Sequence, residues 1–164
     1  MFRYTICFIR RGNRILLLNR NAPAWMGAWN GVGGKLEPGE APLASVQREV
    51  QEETGLVLPL EAFQDKGCVT WTVDGASRGG MYLFLVEVEE DLPYATPLGT
   101  AEGILDWKDI AWILHPENKG IAHNVPYFLP FLLEEEAAYE HCCYFTGDSL
   151  TEVVSSRLEP AAGQ

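Results

Sequence analysis

Residues 34–56 read G-K-L-E-P-G-E-A-P-L-A-S-V-Q-R-E-V-Q-E-E-T-G-L and decide the fold. On a helix, Glu49, Glu52 and Glu53 stand at i, i+3 and i+4, so their side chains share one face. Like charges at this spacing repel one another and weaken a helix. Mg²⁺ removes that penalty because it prefers oxygen ligands and binds through a few carboxylates and the phosphates of a substrate. The stretch therefore predicts a helix whose acidic face holds a divalent cation next to phosphate.

The ends of this helix are also readable from the sequence. Pro42 suits a first turn, where a missing N–H costs nothing, and Gly55 is a good residue for ending a helix. Glu40 precedes the helix, and we expect its carboxylate to accept hydrogen bonds from the N–H groups of the first turn. An apolar stripe facing the core is predicted at Leu43, Val46 and Val50.

The same stretch resembles the Nudix box, G-x5-E-x7-R-E-U-x-E-E-x-G-U, in which U is a bulky aliphatic residue. Every fixed position is matched, by Gly34, Glu40, Arg48, Glu49, Val50, Glu52, Glu53, Gly55 and Leu56. The resemblance implies a hydrolase that cleaves a nucleoside diphosphate joined to another group. It also implies a loop–helix–loop motif on an α/β/α sandwich, and Mg²⁺ or Mn²⁺ as the cofactor.

The resemblance further implies roles for individual residues. The metal ligands would be the backbone carbonyl of Gly33 and the carboxylates of Glu49, Glu52 and Glu53. Arg48 would hold a glutamate in place through its planar guanidinium group. The group that takes a proton from water varies within the family, and the candidates here are Glu49, Glu53 and Glu102.

A simpler interpretation competes with the metal site. A run of glutamates usually faces solvent, and an arginine within it usually forms a surface ion pair that contributes little to stability. The flanking glycines, Arg48 and the register of the acidic residues favour the metal site instead.

The run W-N-G-V-G-G-K at 29–35 resembles the W-N-G-x-G-G-K run of MutT-type members of the family. Those enzymes convert oxidised purine nucleoside triphosphates to monophosphates, and the asparagine of their run contacts the base. Asn30 is therefore a base-binding candidate, although an asparagine in a turn can also bond its own backbone. Lys35 lies next to the predicted metal loop and could contact phosphate.

Other parallels with MutT-type enzymes are weaker. Thr5 matches a pocket threonine, and Trp25 could stack on a base. His123 and Asn124 stand where a MutT-type enzyme has two aspartates, so this departure leaves the mode of base recognition open. Each of these residues also has a structural alternative, as a buried strand residue, a rim aromatic or a polar loop residue.

These features predict a metal-dependent pyrophosphohydrolase that converts a nucleoside triphosphate, including oxidised purines, to the monophosphate and pyrophosphate. One alternative keeps the chemistry and changes the substrate to ADP-ribose, a dinucleotide or another diphosphate derivative. A second alternative, a nucleotide sensor without turnover, is less favoured because all acidic positions are intact.

The composition of the 164 residues limits the classes of binding partner and the cellular compartment that we expect. A net charge of −11 repels polymeric nucleic acid but not a free nucleotide that carries its own cation. Four cysteines without a CxxC pattern are typical of reduced thiols in a cytoplasmic protein, and no apolar run approaches the length of a membrane span. We expect one domain over 1–154 and a frayed tail over 155–164.

The remaining pattern predicts strands interleaved with helices. Strands are expected at 2–10, 14–19, 29–32, 57–63, 67–73, 81–88, 103–107, 139–145 and 150–154. Two further helices are expected at 109–114 and 125–136. This order, with hairpins among the elements, predicts a mixed sheet covered by helices on both faces, an α/β/α sandwich.

Overall fold

The computed structural model describes residues 1–23 and 25–160, and within them nine strands form one mixed sheet. The strand order is β6-β7-β2-β1-β5-β4-β8-β9, and β3 pairs with β2 outside this path. The strands are β1 Tyr4–Arg11, β2 Arg14–Arg20, β3 Trp29–Asn30, β4 Gln64–Val73, β5 Ala76–Val88, β6 Leu98–Thr100, β7 Gly103–Asp109, β8 Tyr139–Thr146 and β9 Ser149–Arg157. The helices are α1 Pro42–Thr54, α2 Ile110–Ile113 and α3 Val125–Glu134, with a 3-10 helix at Leu60–Ala62.

Apolar side chains cover both faces of the sheet. In β1, Phe8 belongs to the cluster that packs under α2 and α3, whereas Ile9 belongs to the cluster under α1. This follows from the alternation of side chains along a strand. The α1 contribution comes from Val46 and Val50, both fully buried. The predicted α/β/α architecture is confirmed.

Strand register places the chain segments that form the candidate site. The segment after β3 runs beside β1, because the N–H of Cys7 donates to Val32 O at 2.6 Å and that of Thr5 donates to Gly34 O at 2.9 Å. This segment therefore lies between β1 and α1. Strand β2 pairs with β7 along its whole length, and its last residue, Arg20, lies opposite Gly103, the first residue of β7. The turn between β6 and β7 is thereby brought to the end of β2.

Two predicted features of the elements are wrong. The strand expected at 57–63 is an extended segment with one 3-10 turn, because Pro59 has no N–H to donate to a ladder. Its apolar signal arises because Phe63 is buried against the core. Leu43 was expected in the core stripe of α1, but it is 36% exposed.

Strand β6 was not predicted from the sequence. It has no alternation of apolar residues, and its Leu98 is exposed.

The C-terminal boundary also differs from the prediction. Strand β9 continues to Arg157, with Ser155 opposite His141 and Arg157 opposite Tyr139. The frayed tail predicted from residue 155 is therefore wrong for 155–157, because backbone pairing needs no apolar side chains. The N–H of Leu158 still donates to Ala138 O at 2.9 Å. Residues 161–164 lie outside the described part of the chain.

Sulfur chemistry and hydropathy add two observations. Cys7, Cys68, Cys142 and Cys143 are all free thiols, and Cys143 is buried while its neighbour Cys142 is half-buried. Across the described residues, no helix combines the length and the apolar character that a bilayer span requires.

A buried histidine makes the stability of the fold depend on pH. His141 is fully buried, stacks on Phe128 and accepts or donates one hydrogen bond with Ser155 Oγ at 2.7 Å. In the described structure its Nε2 has no partner. Burial lowers the pKa of His141 from 6.5 to about 4, because a charged ring there would be desolvated.

We expect this histidine to destabilise the protein on acidification. The folded-state pKa of His141 lies below the unfolded value. Its contribution to the free energy of unfolding is therefore complete above pH 6.5 and is lost as the pH falls to about 4. The loss amounts to about 3 kcal/mol for a shift of this size. Denaturant unfolding of His141→Phe between pH 7 and 4 should show a flatter dependence than the unsubstituted protein. Ser155→Ala, which removes the hydrogen bond but keeps the titrating ring, should keep the steep dependence; equal slopes in all three proteins would contradict the assignment.

Candidate active site

A cleft of about 400 Å³ opens between α1, the segment after β3 and the turn between β6 and β7. We call it the acidic cleft. It brings together six of the predicted site residues: Gly33, Lys35, Glu49, Glu52, Glu53 and Glu102. Glu49, Glu52 and Glu53 reach it from one face of α1, as the helical spacing predicts.

Glu53 is the most perturbed carboxylate of the acidic cleft. Its Oε2 accepts the N–H of Gly33 at 2.9 Å. The pKa of Glu53 is raised from 4.5 to about 7, chiefly by burial and also by the nearby charges of Glu49 and Glu102, while the Gly33 hydrogen bond opposes the rise. A carboxylate that titrates near neutral pH can act as a general base under physiological conditions.

Arg48 organises the other carboxylates around the cleft. Its Nε and Nη2 donate to the two carboxylate oxygens of Glu40, each at 2.8 Å, in a bidentate pair. Its Nη1 donates to Glu49 at 3.0 Å and to Glu52 at 3.1 Å, and Nη2 also reaches Lys35 O at 3.1 Å. One guanidinium group thus ties the start of α1, the middle of α1 and the preceding loop together.

Glu40 does not cap α1, contrary to the prediction. The N-cap residue is Ala41, and no side chain bonds the first-turn N–H groups. The Glu40 carboxylate is instead engaged by Arg48, whose hydrogen bonds lower the pKa of Glu40 to about 2. Desolvation raises the pKa of Glu49, although Arg48 opposes this shift. Arg48 therefore favours the charged form of Glu40 and only partly offsets the effect of burial on Glu49.

A second cavity, of about 460 Å³, lies on the face of the sheet covered by α3, and we call it the apolar pocket. Its walls are Ile6, Trp25, Asn30, Val69, Trp71, Val73, Met81, Asn124, Phe128, Phe145, Gly147 and Asp148. One short stretch of chain contributes to the walls of both cavities, because Asn30 lines the apolar pocket and the next residue, Gly31, lines the acidic cleft.

The predicted base-binding residues are divided by the structure. Asn30, Trp25 and Asn124 line the apolar pocket. His123 is exposed and packs edge-on against Trp25, with ring centroids 5.7 Å apart. Thr5 is 3% exposed and lines neither cavity, because its place in β1 alternates with Ile6, which faces the apolar pocket.

Residues 2–127 match the NUDIX domain family. The chain belongs to the NUDIX family. It is 28% identical to the uncharacterised Nudix hydrolase YvcI of Bacillus subtilis (strain 168) over 159 aligned residues. The alignment covers 96% of this chain and 94% of YvcI. The resemblance first indicated by the sequence motif is thereby confirmed.

Solved structures of other Nudix proteins share this fold. A mutator MutT protein from Bacillus halodurans is 25% identical, with a TM-score of 0.73, covering 94% of this chain and 97% of that one. A bifunctional NMN adenylyltransferase/ADP ribose pyrophosphatase from Francisella tularensis, solved with AMP and a Mn ion, is 20% identical, with a TM-score of 0.58. It covers 82% of this chain and 41% of that chain, and at this identity it shows the fold alone.

The Nudix residues of the acidic cleft fit a hard divalent cation by their donor chemistry. Carboxylate and carbonyl oxygens are the ligands that Mg²⁺ prefers. Burial, together with the charges of Glu49 and Glu102, raises the pKa of Glu53, and a bound cation would offset both effects. Among residues 1–23 and 25–160, however, no three carboxylate, imidazole or thiol groups converge into a finished ligand cluster. Glu49 and Glu52 are instead turned toward Arg48. The fit therefore lies in the donor set rather than in a completed coordination shell.

Gly34 of the Nudix box allows a close approach that no side chain permits. A Cβ at this position would overlap the Glu49 carboxylate. We expect Gly34→Ala to displace that carboxylate and lower kcat by about 10–100-fold, since displacements near 1 Å in a site have effects of this size. The free energy of unfolding should change by less than about 1 kcal/mol, because the displaced group is the flexible end of a side chain.

The matched control for Gly34→Ala is Gly99→Ala, which meets nothing within 4 Å. Steady-state rates and denaturant unfolding of both variants provide the measurement. Equal rates for the two variants would show that the space next to Gly34 is unimportant for turnover.

Several residues of the two cavities were not predicted. In the acidic cleft these include Tyr4 and Arg20. In the apolar pocket they include Trp71, Met81, Phe128, Phe145 and Asp148. Alternation along β4 and β8 could have placed Trp71 and Phe145 on one face, but only the pairing of β4 with β8 shows that they share a cavity.

Proposed function

We propose that this Nudix hydrolase is a divalent-cation-dependent nucleotide pyrophosphohydrolase, which hydrolyses a nucleoside triphosphate to the monophosphate and pyrophosphate. One observation carries the proposal: consecutive residues, Asn30 and Gly31, line the apolar pocket and the acidic cleft respectively. A nucleotide can therefore place its phosphates among the carboxylates and its base in the apolar pocket without leaving the surface of the protein.

The acidic cleft supplies the reactive groups. Glu49, Glu52, Glu53 and the carbonyl of Gly33 would hold Mg²⁺ or Mn²⁺, which neutralises phosphate charge and makes a bound water more acidic. Glu53 is one candidate for accepting the proton of the attacking water, because its carboxylate lines the acidic cleft next to Gly33. Glu49 and Glu102 are the other candidates.

Two basic residues, Lys35 and Arg48, assist the carboxylates of the acidic cleft. Lys35 is exposed on its edge and would contact phosphate oxygen as a point charge. Arg48 acts as a positioning residue, since its hydrogen bonds are with Glu40, Glu49 and Glu52. Little covalent chemistry is required, because phosphoryl transfer depends mainly on positioning and electrostatics.

The apolar pocket supports binding of a base. Its walls include the aromatic rings of Trp25 and Trp71, on which a base can stack for about 1–3 kcal/mol. Asn30 and Asn124 supply amide groups that can bond a base edge. Oxidised purine triphosphates are among the substrates this arrangement admits, and their removal would make the enzyme a sanitiser of the nucleotide pool.

Hydrolysis of ADP-ribose or of a dinucleotide is the alternative within the same chemistry. A cation held by the carboxylates of the acidic cleft would act on the phosphoanhydride and would not contact the group attached to the diphosphate. The cleft alone would therefore suit either substrate class. A sensor without turnover is a weaker alternative, because Glu49, Glu52 and Glu53 all line the cleft.

We further propose that the protein acts on free nucleotides in the cytoplasm. Four free thiols support a reducing compartment. A net charge of −11 disfavours association with polymeric nucleic acid.

A panel of nucleoside triphosphates, ADP-ribose and dinucleotides, each with Mg²⁺, tests the proposed function. We expect triphosphates to give monophosphate and pyrophosphate, identified by chromatography. Cleavage of ADP-ribose or a dinucleotide alone would replace the proposal by the alternative. Release of orthophosphate from triphosphates would contradict the proposed products.

A further inference from the structure

The polar groups of the apolar pocket each have a defined hydrogen-bonding capacity. Asn30 Oδ1 accepts the N–H of Gly31 at 2.8 Å, which leaves its amide nitrogen as a donor. The amide nitrogen of Asn124 donates to Cys143 Sγ at 3.8 Å, which leaves its oxygen as an acceptor. Asp148 adds a carboxylate, which only accepts hydrogen bonds when ionised.

Asp148 differs from the other residues of the pocket in charge and in availability. It is the one ionisable residue among those that line the apolar pocket. It is exposed in the turn between β8 and β9, and across residues 1–23 and 25–160 no hydrogen bond or ion pair engages its carboxylate. A ligand in the pocket therefore need not break an existing contact to bond it.

The turn that carries Asp148 is held in place by a neighbouring turn. Asp74, between β4 and β5, donates its N–H to Phe145 O at 2.9 Å. Its Oδ1 accepts the N–H of Gly147 at 3.0 Å. The residue before Asp148 is thus fixed to a second hairpin, and this reduces the entropy lost when a ligand binds.

Among these three side chains, Asn30 presents amide N–H donors, Asn124 presents an acceptor oxygen next to its remaining N–H, and Asp148 presents a carboxylate that accepts. Guanine presents the complementary edge, with one carbonyl acceptor followed by the N1–H and the exocyclic amine as adjacent donors. Adenine, cytosine and uracil each present a single donor position on the corresponding edge. The two oxygens of a carboxylate can accept from two adjacent N–H donors at once.

We propose that Asp148 is a specificity-determining residue that selects nucleotides whose base carries two adjacent N–H donors, which means guanine, oxidised or not. This inference rests on the proposed function, since it takes the base to enter the apolar pocket. Guanine and its 8-oxidised form both carry N1–H and the exocyclic amine, so selection by Asp148 does not require oxidation.

Guanosine and inosine triphosphates provide the sharpest comparison, because inosine lacks only the exocyclic amine. With Mg²⁺ we expect kcat/KM for the guanosine nucleotide to exceed that for the inosine nucleotide by about 10–100-fold, the size of one well-placed contact to a base. In Asp148→Asn this ratio should fall to within about threefold, mainly through KM, with uridine triphosphate unaffected. Asp91→Asn is the matched control, since Asp91 is exposed and lines neither cavity.

Binding of the free nucleosides separates this inference from the proposed function. Trp25 and Trp71 line the pocket, so their fluorescence should report guanosine binding without metal or phosphate. Suppose that guanosine binds more tightly than inosine to the unsubstituted protein but not to Asp148→Asn, and that neither protein cleaves a triphosphate. Selection of the base by Asp148 then stands, and the proposed hydrolysis is wrong. An equal fall for all nucleotides in Asp148→Asn, or equal binding of guanosine and inosine, would overturn the role of Asp148.

Discussion

Replacing Glu53 with glutamine should remove most of the turnover and at the same time stabilise the metal-free protein. Loss of a general base or of a metal-binding carboxylate lowers rates by about 10²–10⁴-fold. Glutamine has nearly the same shape, and its amide oxygen can still accept the N–H of Gly33 that Glu53 accepts at 2.9 Å. Both effects arise from one property, a buried negative charge beside other negative charges.

The stability gain from Glu53→Gln should depend on pH in a defined direction. The folded-state pKa of Glu53 is about 7, above the ordinary value of 4.5, so the folded protein retains a proton that the unfolded chain has already released. The favourable contribution of this protonation is present at low pH and disappears as the pH rises through about 7. We expect Glu53→Gln to raise the free energy of unfolding by about 3 kcal/mol at pH 8 and by about 1 kcal/mol at pH 5.

Three measurements check this expectation: kcat with saturating Mg²⁺, denaturant unfolding with a chelator at pH 8 and pH 5, and unfolding with added Mg²⁺. The cation should stabilise the unsubstituted protein far more than Glu53→Gln, because binding to the folded state alone adds about 2.7 kcal/mol at a hundred times Kd. Glu152→Gln, at an exposed position of β9 outside both cavities, is the control. Near-normal turnover in Glu53→Gln would mean that Glu53 is neither base nor ligand.

Arg48→Lys should have the second largest effect, on both turnover and stability. The guanidinium of Arg48 makes a bidentate pair with Glu40 and reaches Glu49 and Glu52. A lysine is a point charge on a flexible stem and cannot reproduce this fork. We expect a fall in kcat of about 10–100-fold and a loss of about 2 kcal/mol in the free energy of unfolding at pH 7.

The stability difference between Arg48→Lys and the unsubstituted protein should shrink in acid. Arg48 holds the pKa of Glu40 at about 2, below its ordinary value of 4.5. The stabilisation from this pair is complete above pH 4.5 and is lost as the pH falls toward 2. Unfolding at pH 7 and pH 3 measures the change.

Arg14→Lys is the matched control for Arg48→Lys. Arg14 pairs with Asp109 at 3.0 Å, but both side chains are more than half exposed, so the pair should contribute less than about 0.5 kcal/mol. If Arg48→Lys stays within 0.5 kcal/mol and twofold in rate of the unsubstituted protein, Arg48 is an ordinary surface arginine.

Strongly periodic segments were predictable, and segments without a period were not. Helix α1 begins at Pro42 and ends before Gly55, which adopts φ of +80°, as its sequence indicates. The segment 57–63 looked like a strand because it is apolar, yet Pro59 and the absence of alternation prevented ladder pairing. Local signals therefore identified the element that carries the carboxylates more reliably than the segments between elements.

The sequence by itself determined that three carboxylates project from one side of one helix, between glycines that permit close backbone approach. This information is local, because helical spacing and backbone preference act over a few residues. Only the tertiary structure decided what lies opposite those carboxylates and where a base can go. Glu102 reaches the acidic cleft through the pairing of β2 with β7, and Asp148 reaches the apolar pocket through the pairing of β4 with β8. Contacts of this kind depend on strand register between segments far apart in the chain, which no local pattern encodes.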